Sequence, residues 1–366
     1  MKVTDLKTIP LSIPMERPFS HQAARNRINP IVVELRGDDG TEGLGLAFTW
    51  NDKQVSPLVA SIEDLREVIV GQDVLRHEEA WLKLWRATRH MGHTGYGIYA
   101  LSAIDMALWE LKAKALGVSV ADLLGACRKE VPAYASHKLF RPWTMEELQK
   151  DAMDLVQKGF RGMKMNLGDK TPKEEAARVK AVREAVGEGV EILIDVNWAW
   201  TPAQAIEIGR MLEPYRIYWL EDPLESEDPD DLARVAQALD MPVAVGETFC
   251  TKQGFRPLLE KASGDILIVD LQRVGGVTEF MKVAAMAQAW NRPVASHLFH
   301  DLSVHLIAAI PNGLIVEYMP WWDVIYQEPP QVKNGMMKVP DGPGWGLKLD
   351  PGALKKYSLK GGSVHG

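Results

Sequence analysis

Cysteine is scarce: only Cys127 and Cys250 occur in 366 residues. Two thiols cannot make a disulfide framework, so a reducing compartment is expected. No apolar stretch approaches the roughly 18 residues that a membrane span needs. The opening MKVTDLKTIPLSIP also lacks the apolar centre of a secretory signal. A cytoplasmic location without a membrane partner is the resulting expectation. Lys and Arg form no run and the formal net charge is −7, which argues against a nucleic-acid partner. Low-complexity tracts are absent as well. What remains is 46% hydrophobic and 25% charged, an ordinary globular composition able to bury a large core. The length suits a barrel of roughly 250 residues together with a smaller domain.

The chain changes character near residue 125. Before it, IVVELRGDDGTEGLGLAFTW holds two strand-like runs around Asp39-Gly40, a strong hairpin signal. The polar, proline-bracketed PMERPFSHQAARNRINP ahead of it reads as a loop. Helical patterning follows from about Val55 to Gly125, clearest in ALSAIDMALWELKAKAL, where Leu101, Ile104, Leu108 and Leu111 share one face. From Val131 short apolar runs alternate with helices. The runs are VPAYAS, FRGMKMN, VEILIDV, RIYWLE, MPVAVGE, DILIVDL, RPVASH and GLIVEYM. Eight strands at near-regular spacing, with helices between, are what a βα barrel demands. The expected division is an α+β domain over 1–125, a βα barrel over 126–324, and a turn-rich tail over 325–366 that returns to the first domain.

Three of the apolar runs end in an acid at a constant interval. Glu221 lies 26 residues beyond Asp195, and Glu247 lies 26 beyond Glu221. In a ring of parallel strands this phasing brings three carboxylates to one rim. Crowded carboxylates repel unless a hard cation sits among them, and oxygen-only ligation suits Mg²⁺, one per subunit. The same rim position on the other strands carries Lys164 and Asn166, Asn197, Asp270, His297 and Glu317. Any one of these could be a helix cap or a surface ion pair. So many in phase on one rim make a catalytic centre the better reading.

The motifs ALSAIDMALWELKAK, KMN, DVN, LEDP, VGE, VDLQRVGG, ASH with HLIAAIPNG, and IVEY resemble the enolase superfamily, and within it the mandelate racemase subgroup. The resemblance runs from the N-terminal hairpin to the PDGPGWGL tail. It implies an α/β fold with a modified TIM barrel of (β/α)7β type and an N-terminal α+β capping domain completed by the C-terminal tail. It also implies that Asp195, Glu221 and Glu247 hold Mg²⁺ and that His297 is the general base, oriented by Asp270. Lys164 and Glu317 would then face the substrate carboxylate, with Glu317 raised in pKa by neighbouring anions and acting as a donor. Asn166, Asn197, His21 and Arg25 are the implied substrate contacts. A small carboxylate substrate and a homo-oligomer complete the expectation.

One departure narrows the chemistry. The racemase pattern has K-x-K on the second strand, where this chain has Lys164-Met165-Asn166. Asparagine cannot accept a proton, so one face of the substrate loses its base. One-base chemistry remains: His297 removes the α-proton, then protonates a departing β-hydroxyl, a syn-dehydration of a sugar acid. A K-x-N strand is also similar to the galactonate-dehydratase type, although Asn197 stands where that type carries histidine. The alternative is a racemase, epimerase or cycloisomerase, with Lys164 of lowered pKa or a loop residue as second base. Other residues stay open between site and scaffold: His137, Lys138 and Arg141 after the first barrel strand, the tryptophans 198, 200, 321 and 322, and His300 and His305. Asp222 is expected to point away from the rim by strand alternation.

Overall fold

Side-chain alternation along eight short strands decides where the chemistry sits. The computed structural model describes residues 1–15 and 26–359. Its barrel strands are β5 (Glu130–Leu139), β6 (Gly162–Asn166), β7 (Glu191–Asp195), β8 (Ile217–Glu221), β9 (Val243–Val245), β10 (Ile266–Asp270), β11 (Val294–His297) and β12 (Gly313–Tyr318). They pair in parallel and in sequence order, and β12 returns to β5 to close the ring. All eight runs read from the sequence lie on these strands. Tyr134, Leu193, Trp219, Ala244, Ile268, Ala295 and Ile315 fill the interior as one apolar cluster. Two residues beyond Leu193, Trp219, Ile268, Ala295 and Ile315 come Asp195, Glu221, Asp270, His297 and Glu317. A period of two therefore places these five on the same inward face as the plug, at the C-terminal rim.

The crossovers start cleanly because their first turns are written into the sequence. Thr144, Thr171 and Thr201 each cap a helix in reciprocal pairs with Glu147, Glu174 and Gln204, opening Met145–Gln157, Pro172–Val186 and Pro202–Leu212. Pro172 and Pro202 at the first turn cost no hydrogen bond there. Asp228 caps Pro229–Ala238 in the same manner. Further crossovers are Thr251–Glu260, Gly276–Ala289 and His300–Ala309. Directly after β12 a 3-10 turn, Asp323–Ile325, stands where a crossover helix would come, so the ring consists of seven strand–helix units and an eighth strand.

The N-terminal part joins β1 (Val3–Pro10), β2 (Ile13–Pro14), β3 (Arg27–Gly37) and β4 (Glu42–Thr49) into one antiparallel sheet. The β3–β4 hairpin turns at Asp39-Gly40, as its sequence indicates. Helices Val55–Asp64, His77–Ala87 and Tyr96–Leu116 follow. Tyr96–Leu116 is buried almost all round because it lies between this sheet and the barrel. Its polar residues are the rivets. The Asp105 carboxylate accepts from Thr278 N at 2.9 Å and from the Thr278 hydroxyl at 2.7 Å. Ser102 donates to the Gln272 carbonyl at 2.6 Å. Glu110 accepts from the backbone of Leu44 and of Trp345, and the Trp345 indole donates to the Leu44 carbonyl at 2.9 Å. Through Trp345 the tail is pinned to the N-terminal sheet. Another tail segment, β13 (Val332–Lys333) and β14 (Met336–Lys338), extends the barrel sheet antiparallel to β5. Among the described residues no helix is long and apolar enough to cross a membrane.

Candidate active site

At the C-terminal rim the strand ends surround a cavity of about 470 Å³, lined by Lys164, Asn166, Asp195, Glu247, His297 and Glu317, among others. A second, more open hollow of about 540 Å³ between Trp85, His93 and the 248–254 segment contains none of these groups. The smaller cavity is the one with chemistry.

Strand pairing sets the acids side by side. Asp195 is the direct partner of Glu221 across β7 and β8, and Asn166 is the direct partner of Asp195 across β6 and β7. Glu247 lies two residues past the end of β9. Six carboxyls are buried together here, Asp195, Glu221, Asp222, Glu247, Asp270 and Glu317. Among the described residues, the permanent cations Lys164 and Arg273 make ion pairs with them. Lys164 Nζ lies 3.1 Å from Asp195, 2.9 Å from Glu221 and 2.7 Å from Glu317. Arg273 lies 3.1 Å from Glu247 Oε1. The surplus of negative charge is visible in Glu221. Burial, and then Asp195, Glu317 and Glu247, outweigh Lys164 and push it up to about 8.

The charge and the all-oxygen donor set fit a hard divalent cation. As the side chains stand, no three His, Cys, Asp or Glu groups among the described residues gather round one point. Their partners show where they are turned instead: Asp195 and Glu221 face Lys164, and Glu247 faces Arg273 and His297.

The imidazole is held at both nitrogens. His297 Nδ1 is 2.6 Å from Asp270 Oδ2, and Nε2 is 3.1 Å from Glu247 Oε2. β10 and β11 set the first contact, since Asp270 and His297 are direct partners in the ladder. Burial works against the imidazolium, but Glu247, Glu317 and Asp270 together carry the His297 pKa up to about 9. The ring is buried yet lines the cavity, a geometry suited to a group that exchanges a proton with a bound molecule.

Several expectations change on contact with the structure. Glu317 is not raised. Burial alone would raise it, but Lys164, His297 and the Leu298 N–H at 2.6 Å bring it down to about 2, so it stands as a carboxylate. Lys164 is no weakened base: burial opposes its charge, yet Glu221, Glu317 and Asp195 lift its pKa well above the ordinary value. Asp222 does not line the cavity, but it stays close to the rim acids. Its φ of +40° takes it out of strand alternation. Its buried carboxyl is raised by burial and then by Glu247, Glu221 and Asp195, which makes it part of the same anionic cluster.

Asn166 and Asn197 line the cavity and also brace Asp195. Asn166 Nδ2 donates to Asp195 Oδ2 at 3.1 Å, and Asn197 donates to the same carboxylate through its backbone and its amide. His21 and Arg25 lie outside the described residues. Of the open candidates, Arg141, Trp198 and Trp321 line the cavity. Trp200 and Trp322 are buried in the main core. His137, lowered to about 4 by burial and then Lys138, packs against Phe160 and Tyr318. Lys138 pairs with Asp154 at 3.0 Å. His300 and His305 are buried in or beside the helix His300–Ala309.

Ser136 and Arg273 are among the cavity residues that the sequence did not single out. The Ser136 hydroxyl is buried, faces the cavity and has no protein partner. Its position two residues beyond the interior Tyr134 was the available signal. Arg273 sits in a βα turn rather than on a strand, and no periodicity marks it.

Residues 6–125 match the N-terminal domain of the mandelate racemase / muconate lactonizing enzyme family, and residues 147–353 match the enolase C-terminal domain-like family. The L-talarate/galactarate dehydratase of Salmonella typhimurium is 30% identical over 357 residues, covering 97% of this chain and 89% of the relative. The 3,6-anhydro-alpha-L-galactonate cycloisomerase of Streptomyces coelicolor is 33% identical over 348 residues, covering 95% and 96%. Among solved structures, the L-talarate dehydratase from Polaromonas sp. JS666, complexed with Mg and L-glucarate, superposes with a TM-score of 0.91 at 30% identity over 98% of both chains. The chain belongs to the enolase superfamily of enzymes, among its mandelate racemase / muconate lactonizing enzyme-like members.

Proposed function

We propose that the protein removes the proton α to the carboxylate of a sugar acid with the help of Mg²⁺, and eliminates the β-hydroxyl as water to give a 2-keto-3-deoxy acid. The observation that carries this reading is an asymmetric cavity: His297, braced by Asp270 at 2.6 Å, has only an amide, Asn166, where a second base would stand. Asp195, Glu221 and Glu247 would hold the cation. When bound, it would stabilise negative charge developing on the substrate carboxylate. The talarate dehydratase complexed with Mg and L-glucarate supports both the metal and the substrate class.

The chain's own groups account for the remaining steps. Lys164 is a fixed cation beside the developing charge. The unpartnered Ser136 hydroxyl offers a hydrogen bond to a substrate oxygen. Glu247 now keeps a proton on His297 Nε2; with Glu247 turned to the cation that support would be lost, and the neutral Nε2 would accept the α-proton while the electron pair of the broken C–H bond forms the carbon–carbon double bond of the enediolate. The C–O bond at the β-carbon then breaks, and the imidazolium returns the proton so that the hydroxyl leaves as water. Tautomerisation of the resulting enol gives the keto acid. A single base that acts again as the acid requires proton and hydroxyl to leave from one face, hence the syn course.

A second reading is cycloisomerisation or epimerisation, supported by the aromatic walls at Trp50, Phe140, Trp198 and Trp321 and by the name of the Streptomyces relative. Incubating the protein with Mg²⁺ and a panel of aldonates and aldarates in D₂O separates the two. Keto-acid formation supports elimination. Deuterium entering the α-carbon without loss of water supports the second reading, and neither outcome on any acid defeats both.

A further inference from the structure

We propose that Arg273 is the positioning residue for Glu247: its guanidinium grips one carboxylate oxygen and the backbone, leaving the other oxygen for the cation. This rests on the reading of Asp195, Glu221 and Glu247 as metal ligands. The three acids are not held alike. Asp195 and Glu221 are the last residues of β7 and β8, paired with each other by the ladder. β9 stops at Val245, and Gly246 turns with φ +132°. A Cβ at Gly246 would come within 2.7 Å of the Ile268 carbonyl oxygen, so the turn requires glycine. Glu247 therefore stands in a turn beyond the strand end, without a ladder partner to fix it.

Arg273 supplies the missing restraint. Its Nη1 donates to the Glu247 carbonyl at 3.0 Å and to Glu247 Oε1 at 3.1 Å. The remaining oxygen, Oε2, faces His297 Nε2 at 3.1 Å. The Arg273 backbone is itself anchored. The Arg273 N–H donates to Asp270 Oδ1 at 2.7 Å, starting the helical turn Leu271–Val274. The other oxygen of Asp270 holds His297. One carboxylate thus fixes the base directly, and through one short turn it also fixes the residue that aims Glu247. Lysine has no planar fork, so it keeps the charge at this position without the geometry.

The test is calorimetric titration of Mg²⁺ into the EDTA-treated full chain and its Arg273→Met and Arg273→Lys variants, with melting temperatures measured in EDTA. A partner that orients a ligand typically contributes about 10- to 100-fold in metal affinity. R273M should weaken Mg²⁺ binding by about 10-fold or more, and R273K by several-fold, roughly half that on a logarithmic scale. A purely structural brace would lower the metal-free melting temperature and leave the Mg²⁺ affinity of both variants unchanged, and that result overturns the proposal. If R273M does not fold, R273K decides alone: an unchanged affinity is contrary. If the wild-type chain takes up no Mg²⁺, the metal-ligand reading fails first and this inference fails with it.

Discussion

At the scale of single residues, the centre depends on which charges balance. Lys164 is shared by Asp195, Glu221 and Glu317, which disfavours it as a neutral base and leaves His297 as the proposed proton acceptor. His297→Asn should cut both α-deuterium exchange and keto-acid formation by about 10³-fold, within the usual span for losing a general base. Mg²⁺ uptake measured by calorimetry should persist, because the imidazole is not among the proposed ligands. An exchange rate near the wild-type value would remove His297 from its role. The rim positions of Asp195, Glu221, Glu247 and the His–Asp pair were legible in the sequence because each ends an apolar run in phase with its neighbours. Glu317's ionisation was not, since it depends on the Lys164 ammonium at 2.7 Å.

Elements were easier to read than their contacts. All eight barrel strands follow from apolar runs, and the helix Met145–Gln157 opens on the capping box that Thr144 and Glu147 form. Its buried Leu148, Ala152 and Leu155 fall at helical spacing behind that cap. Close approach between elements is hidden. A Cβ on Gly45 of β4 would strike the Ala103 carbonyl and lie 3.0 Å from Ala107 N in the helix Tyr96–Leu116. Gly45→Ala should therefore destabilise by about 1–3 kcal/mol, the usual range for overpacking. A urea midpoint equal to wild type would show that the sheet and helix part freely.

The helix His300–Ala309 provides a pH test. His305 Nε2 is 3.0 Å from the Trp345 carbonyl and Nδ1 accepts from Ala121 N at 3.3 Å, an arrangement that only a neutral ring satisfies. Burial lowers its pKa from 6.5 to about 4. The folded state thus binds fewer protons than the unfolded state between these values. Its stabilising contribution is complete above 6.5 and is lost as pH falls through about 4. The stability advantage of wild type over His305→Gln should shrink by on the order of 3 kcal/mol from pH 7 to pH 4. A gap that stays constant across that range in denaturant titrations would contradict the assignment.

For the whole molecule, closure of the ring by β12 against β5 converts distant acids into one cluster. Several buried carboxyls with few fixed cations should make the fold respond to divalent ions. Mg²⁺ at 100 times its dissociation constant should stabilise the chain by about 2.7 kcal/mol, seen as a higher melting temperature that Asp195→Asn diminishes. An unaltered melting temperature at saturating Mg²⁺ would speak against a site in the folded state. The most direct test of the central claim is a crystal grown with Mn²⁺ in place of Mg²⁺ and measured for anomalous scattering. The expected result is one peak bonded to oxygens of Asp195, Glu221 and Glu247, with His297 Nε2 turned toward the adjoining cavity. A peak held by other residues, or none at this rim, would contradict it.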